Sequence, residues 1–160
     1  MGCHVIITVF ALNAFELKHL AENNPIPTLL AFLICESVIH DAETQKKTVV
    51  GIFDRVLAAG APVPMNLGLY AKMVEGSGEY TFKFRMVNLK DEDPVVEVPV
   101  PGNWTMPQAP LELGVNFRGL VIPAFGSYEF QVYANGIYLG RSVFSLDKIE
   151  FPPTGIPPQG

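Results

Sequence analysis

Charge is scarce in this chain. Asp, Glu, Lys and Arg make up only 17% of its 160 residues, against about a quarter in an average soluble domain. The net charge of −5, with no cluster of Lys or Arg, excludes the electrostatic footprint that nucleic acid or an anionic lipid surface demands. Cysteine is nearly missing as well. Cys3 and Cys35 have no metal or redox spacing and read as free thiols, with a disulfide between them left open. His4, His19 and His40 stand alone, so the close His/Cys pairs of a zinc site are lacking. The longest apolar run, Val5 to Leu12, falls far short of the roughly 18 residues of a membrane span.

That run has the length of a signal-peptide core, but no Lys or Arg precedes it and no small-residue cleavage site follows. A cytoplasmic protein is therefore expected, with export left open. Met1, Gly2 and Cys3 suggest lipidation, yet Ile6 stands where a myristoylation motif wants Ser or Thr.

What the chain has in quantity is apolar residues, 49%, arranged with period two. At this length one domain is expected. Residues 1–24 differ from the rest. Asn13 and Glu16 form a capping box for a short helix carrying Leu17 and Leu20, ended by Asn23, Asn24 and Pro25. From Thr28 onward, strands follow turns at short, regular spacing. Leu29 to Ile39 reads as a central strand and Thr48 to Leu57 as the next, ended by Pro62 and Pro64. Leu67 to Val74 follows, then a turn at Gly76, Ser77 and Gly78. Tyr80, Phe82, Phe84 and Met86 alternate with Thr81, Lys83 and Arg85, the pattern of a half-buried strand.

Val95 to Val100 carries Pro99 and is followed by Pro101, so it belongs at a sheet edge, with a loop from Gly102 to Pro110. Leu111, Leu113, Val115 and Phe117 form another alternating strand, which Gly119 bends. Asn135 and Gly136 predict a type I′ hairpin between the last two strands, with Tyr128, Phe130, Val132 and Ala134 inward on one arm and Phe144 and Leu146 on the other. Pro152, Pro153, Pro157 and Pro158 mark an extended tail. The sum is an all-β, two-sheet antiparallel sandwich, immunoglobulin-like or C2-like, of about eight strands over residues 25–148. An extension (1–24) and a Pro-rich tail (149–160) flank it.

Leu33 to Asp41 (LICESVIHD), Gly51 to Asp54 (GIFD) and the closing Gly126, Tyr128, Phe130, Asn135 and Gly136 together resemble an uncharacterised family of small bacterial β-sandwich proteins, a domain of unknown function. The resemblance spans roughly residues 27–146. It implies a bacterial or phage source and a sandwich fold, and supplies no catalytic residue, substrate or cofactor.

Glu36, His40, Asp41 and Asp54 are the most suggestive polar group, since two strands and their turn could gather them at one end of a sandwich. Glu36, Asp41 and Asp54 are candidate calcium ligands, an ion that takes six to eight oxygens. The structural alternative is that Asp41 caps the turn while Asp54 pairs with Arg55 or Lys47. Cys35, on a strand beside Leu33 and Ile34, reads as core rather than nucleophile. No Ser occupies a nucleophile elbow and no glycine-rich loop opens a helix. Tyr70, Trp104, Tyr133 and Tyr138 are candidate outward-facing aromatics, able to anchor a protein partner or stack on sugar. No enzyme and no cofactor are expected. The leading expectation is a non-catalytic module that binds another protein or its own copies, and the alternative is a carbohydrate- or calcium-binding sandwich.

Overall fold

The computed structural model describes residues 24–106 and 108–150. The capping-box helix and the Pro-rich tail lie outside them. Nine strands follow one another: β1 (Thr28–His40), β2 (Lys47–Ile52), β3 (Arg55–Ala58), β4 (Val63–Val74), β5 (Gly78–Asn88), β6 (Pro94–Trp104), β7 (Leu111–Ile122), β8 (Gly126–Ala134) and β9 (Ile137–Lys148). They form a four-stranded sheet, β2-β1-β4-β7, and a five-stranded sheet, β3-β9-β8-β5-β6.

The alternation seen in the sequence is what seals the two sheets. Leu67, Leu69, Ala71 and Met73 of β4 face Phe82, Phe84 and Met86 of β5 and Phe130 and Val132 of β8, all buried in one cluster. Each large apolar side chain taken out of water contributes about 1.5–3 kcal/mol. Rings carry the centre: Phe32 stacks near Phe84 at 5.8 Å and Tyr128 near Phe144 at 5.5 Å. The Tyr128 hydroxyl donates to the Ala124 carbonyl (2.7 Å) and accepts from the Ala124 N–H. This ties the start of β8 to the residues just upstream, as the tyrosine corner of immunoglobulin-like sandwiches does. At the far hairpin, Asn135 and Gly136 have φ of 48° and 83°, the positive values that a type I′ turn needs.

One expected strand is two. Thr48 to Leu57 divides at Phe53 and Asp54: the Phe53 N–H still bonds Ile34 of the four-stranded sheet, while the Asp54 carbonyl accepts from Ser145 of the five-stranded one. The chain changes sheets there, and β3 runs parallel to β9, so the sandwich is not purely antiparallel. Two other bounds move outward. β4 starts at Val63, with Pro64 inside it rather than ending the region before it. β6 continues to Trp104 because Pro99 and Pro101 fall at exposed positions of an edge strand.

Beyond the Cys35–Gly68 pair, β1 leaves β4 and the β1–β2 hairpin crosses the outer face of its own sheet. Three residues make that possible. A Cβ on Gly68 would lie 2.9 Å from Cys35 Sγ, and one on Gly114 would lie 2.7 Å from Val38 Cγ1. Asn116 donates to the Val38 carbonyl (2.8 Å) and accepts from the Val38 N–H (2.9 Å), standing in for a missing ladder partner. Cys35 is thereby fully buried as a free thiol, and burial pushes its pKa up. It is packing, as its setting in the sequence implies. Among the described residues no helix is long and apolar enough to cross a membrane.

Candidate functional site

The acidic trio does not converge. Asp41 sits at the tip of the β1–β2 hairpin, Glu36 lies five residues back along β1 beside Gly51, and Asp54 follows the end of β2. At about 3.3 Å per residue, Asp41 and Glu36 are about 17 Å apart. Asp41 caps the turn, accepting from the Glu43 and Thr44 N–H groups and the Thr44 hydroxyl (2.7 Å). Those bonds, the hydroxyl first, hold its carboxyl below the usual range. Arg55 pairs with Asp147 (2.6 Å) and not with Asp54. No group of three or more potential metal ligands gathers among the described residues.

The four aromatics part company. Trp104, expected outside, is inside: only 3% is exposed. It closes one end of the core, its ring against Tyr80 and over Gly76, where a Cβ would collide with the indole. The indole N–H donates to the carbonyls of Met106 and Ala109. Alternation had no purchase on it, because the apparent loop after Pro101 is still strand.

Tyr70 is half-buried on the outer face of the four-stranded sheet. There burial and a hydrogen bond to the Glu112 carboxylate push its pKa up to about 12. Burial alone would raise Glu112. Hydrogen bonds from Lys72 and Tyr70, with the charges of Lys72 and Lys47, outweigh it and hold Glu112 low. The arrangement is a brace under the crossing hairpin.

Tyr133 and Tyr138 come together. A register shift after Val132 pairs them across β8 and β9, rings 5.6 Å apart and nearly perpendicular. They belong to a continuous outer face of the five-stranded sheet, in which Lys83 pairs with Tyr133 and Arg85 with Gln131, which in turn pairs with Arg141. Lys83 Nζ lies 4.9 Å above the Tyr133 ring, which occupies the face a sugar would need. The Tyr133 hydroxyl donates to Gln131 Oε1 (2.7 Å), the Gln131 amide donates to Glu129, and Arg141 pairs with Glu129 at 2.9 Å.

Glu129 is buried, whereas Arg141 and Tyr138 are well exposed. Arg85 Nε lies 3.2 Å from Glu97 Oε1, close enough for Coulomb attraction. The geometry is too poor for a hydrogen bond, so this buried N–H has no hydrogen-bond partner among the described residues. The face carries two tyrosines and two arginines, and its side chains are tied to one another by these contacts. Sequence reading found the two tyrosines but missed Arg85, Glu129, Gln131 and Arg141. Their meeting depends on strand register, which only the alternation of β5 hints at.

No curated protein matches the chain in sequence. Among solved structures it is similar to an alkylpurine DNA glycosylase, AlkC, from Pseudomonas fluorescens bound to DNA containing an abasic site analogue (TM-score 0.50, 9% identity). That match takes in 80% of this chain but spans about a third of the glycosylase (32%). An immunoglobulin-like protein from Pseudomonas aeruginosa (TM-score 0.38, 15% identity, 76% of this chain and 97% of that one) is also similar. So is a Niemann-Pick type C2 protein from the Japanese carpenter ant (TM-score 0.41, 11% identity, 79% and 95%). At these identities the likeness concerns the fold alone. Within that fold, residues 30–147 match a family model, and the chain belongs to DUF6941, a family of unknown function.

Proposed function

We propose that this chain is a non-catalytic protein-interaction module whose binding surface is the outer face of its five-stranded sheet. One observation carries the reading: the exposed Tyr138 stands beside Tyr133 on a face that also carries Arg141 and Arg85 and is already tied together by hydrogen bonds and ion pairs. Tyr and Arg dominate the few residues that supply most binding energy in protein interfaces. Side chains ordered in advance lose less entropy when a partner arrives. The crossed rings and the Lys83 ammonium over Tyr133 fit a protein surface better than a stacked sugar. A cytoplasmic, bacterial setting accords with a buried thiol kept reduced.

The test is a native pull-down with mass spectrometry, run in parallel on the full chain and on Tyr138→Ala. Tyr138 is half-exposed (50%), so its loss leaves the core intact. A specific partner, or a second copy, retained by the wild type and weakened at least tenfold by Tyr138→Ala is expected. The same partners held equally by both, or a monodisperse monomer that captures nothing, would overturn the proposal.

A further inference from the structure

The turn between β8 and β9 pairs Asn135 with Gly136, a dipeptide with a chemistry of its own. Glycine has no Cβ to shield its amide nitrogen from the side chain before it. In an unfolded chain the Gly136 nitrogen loses its proton and attacks Asn135 Cγ. The new N–Cγ bond closes a five-membered imide, the Cγ–Nδ2 bond breaks, and ammonia leaves with the proton. Water then opens the imide at either carbonyl. One product is aspartate; the other is isoaspartate, whose main chain runs through Cγ and is one carbon longer.

In the folded protein the attacking group is open and the attacked group is tied. Gly136 is exposed at the turn. Asn135 is held twice by one residue of the neighbouring strand. Its N–H donates to the Thr81 carbonyl (2.9 Å), and its Oδ1 accepts from the Thr81 N–H (2.9 Å).

Strand register explains why Thr81 is available. The β5–β8 ladder ends at the Phe82–Ala134 pair, and the next position sets Thr81 opposite Asn135. In a regular antiparallel ladder the two would exchange main-chain bonds. Here the Asn135 side-chain oxygen accepts the Thr81 N–H in place of a main-chain carbonyl. On its other side Thr81 lies opposite Pro101, which has no N–H to offer. The bond to Thr81 draws the Asn135 carboxamide across toward β5, away from the Gly136 nitrogen that would attack it.

We propose that Asn135–Gly136 is a deamidation site held shut by Thr81, one that reacts in the folded protein only when the turn detaches from β5. An aspartate product keeps an oxygen for the Thr81 N–H. An isoaspartate product puts an extra main-chain carbon into a two-residue turn. That carbon displaces first the Ala134–Ile137 pair and then the Tyr133–Tyr138 pair.

Peptide mass spectrometry on the full chain, incubated at mildly alkaline pH, follows conversion of Asn135. The folded wild type is expected to react at least about tenfold slower than the same chain unfolded in urea, since only the locally opened fraction reacts. Thr81→Pro removes the N–H that Oδ1 accepts and keeps the carbonyl, at an exposed position. In a variant that still unfolds cooperatively, it is expected to speed the folded-state reaction at least about fivefold. A wild type that reacts at the unfolded rate overturns the proposal. So does a folded Thr81→Pro that reacts no faster than wild type. If Thr81→Pro does not fold, hydrogen exchange at the wild-type Thr81 amide, followed by NMR, decides. Protection there supports the lock, and exchange at the unstructured rate overturns it.

Discussion

Replacing Gly114 with Ala puts a methyl carbon 2.7 Å from Val38 Cγ1, and 3.3 Å from Val38 Cβ, where the crossing hairpin rests on β7. Real Cβ atoms do not approach so closely, so the hairpin must lift or Val38 must leave its rotamer. Overpacking of this kind costs about 1–3 kcal/mol. Val38→Ala alone removes two methyl groups from a site 7% exposed, costing about 1–2 kcal/mol at ~0.8 kcal/mol per carbon. Were the sites independent, the double variant would lose about 2–5 kcal/mol.

They are not independent. Removing Cγ1 takes away the clash, leaving Val38 Cβ at 3.3 Å and Lys47 Cδ at 3.7 Å. The double variant is expected to lose only about 1–2 kcal/mol, a coupling of 1 kcal/mol or more in its favour. Urea unfolding of all four proteins measures this, and with m near 1–3 kcal/mol/M the coupling moves midpoints by about 0.3–1 M. Additivity within about 0.5 kcal/mol would mean that Val38 does not sit on Gly114, and the crossing hairpin would be wrong.

Other expectations follow from the same contacts. Trp104, the single tryptophan, should emit at short wavelength and resist acrylamide, and Gly76→Ala should shift that emission red by driving the ring from its seat. Tyr70 should ionise later than a free tyrosine. Its raised pKa means that the folded state keeps the proton longer, so its contribution to stability holds below pH ~10 and is lost as pH rises toward about 12. Tyr70→Phe should flatten stability across that window, as unfolding at stepped pH would show. Arg141→Ala strips the buried Glu129 of its ion pair and should cost about 1–3 kcal/mol, of which Glu129→Gln in the same protein should recover a large part. If that second change adds a further loss in thermal unfolding, the pair does not stabilise this face.

Much of the sandwich was legible because its information is local. Tyr80 to Met86 and Leu111 to Phe117 alternate, Asn135–Gly136 can hardly be anything but a hairpin, and the prolines of β6 announce an edge. What escaped depends on residues distant in the chain. Nothing near Phe53 tells that its amide and the next carbonyl serve different sheets. The burial of Trp104 needs Gly76, 28 positions away, and the fold of the hairpin over its sheet needs Gly68, Gly114 and Asn116 to line up beneath Cys35 and Val38. The candidate surface was half legible for the same reason. Two tyrosines stood out by type, but their meeting rests on a one-residue slip between β8 and β9.

The parallel pairing of β3 with β9 bears on how this protein answers to force. β1 starts at one end of the sandwich and β9 finishes at the other, so tension applied at Asn24 and Glu150 draws along the strands. The four-residue β3, flanked by bonds from Ser145 to Asp54 and from Ile149 to Ala58, then slides against β9 with all its hydrogen bonds strained together. Strands loaded end to end in this way share the pull, whereas a ladder opened from one side yields a rung at a time. The parallel β3–β9 pairing thus adds its four rungs to the longer β8–β9 ladder in resisting a pull on the chain's exit.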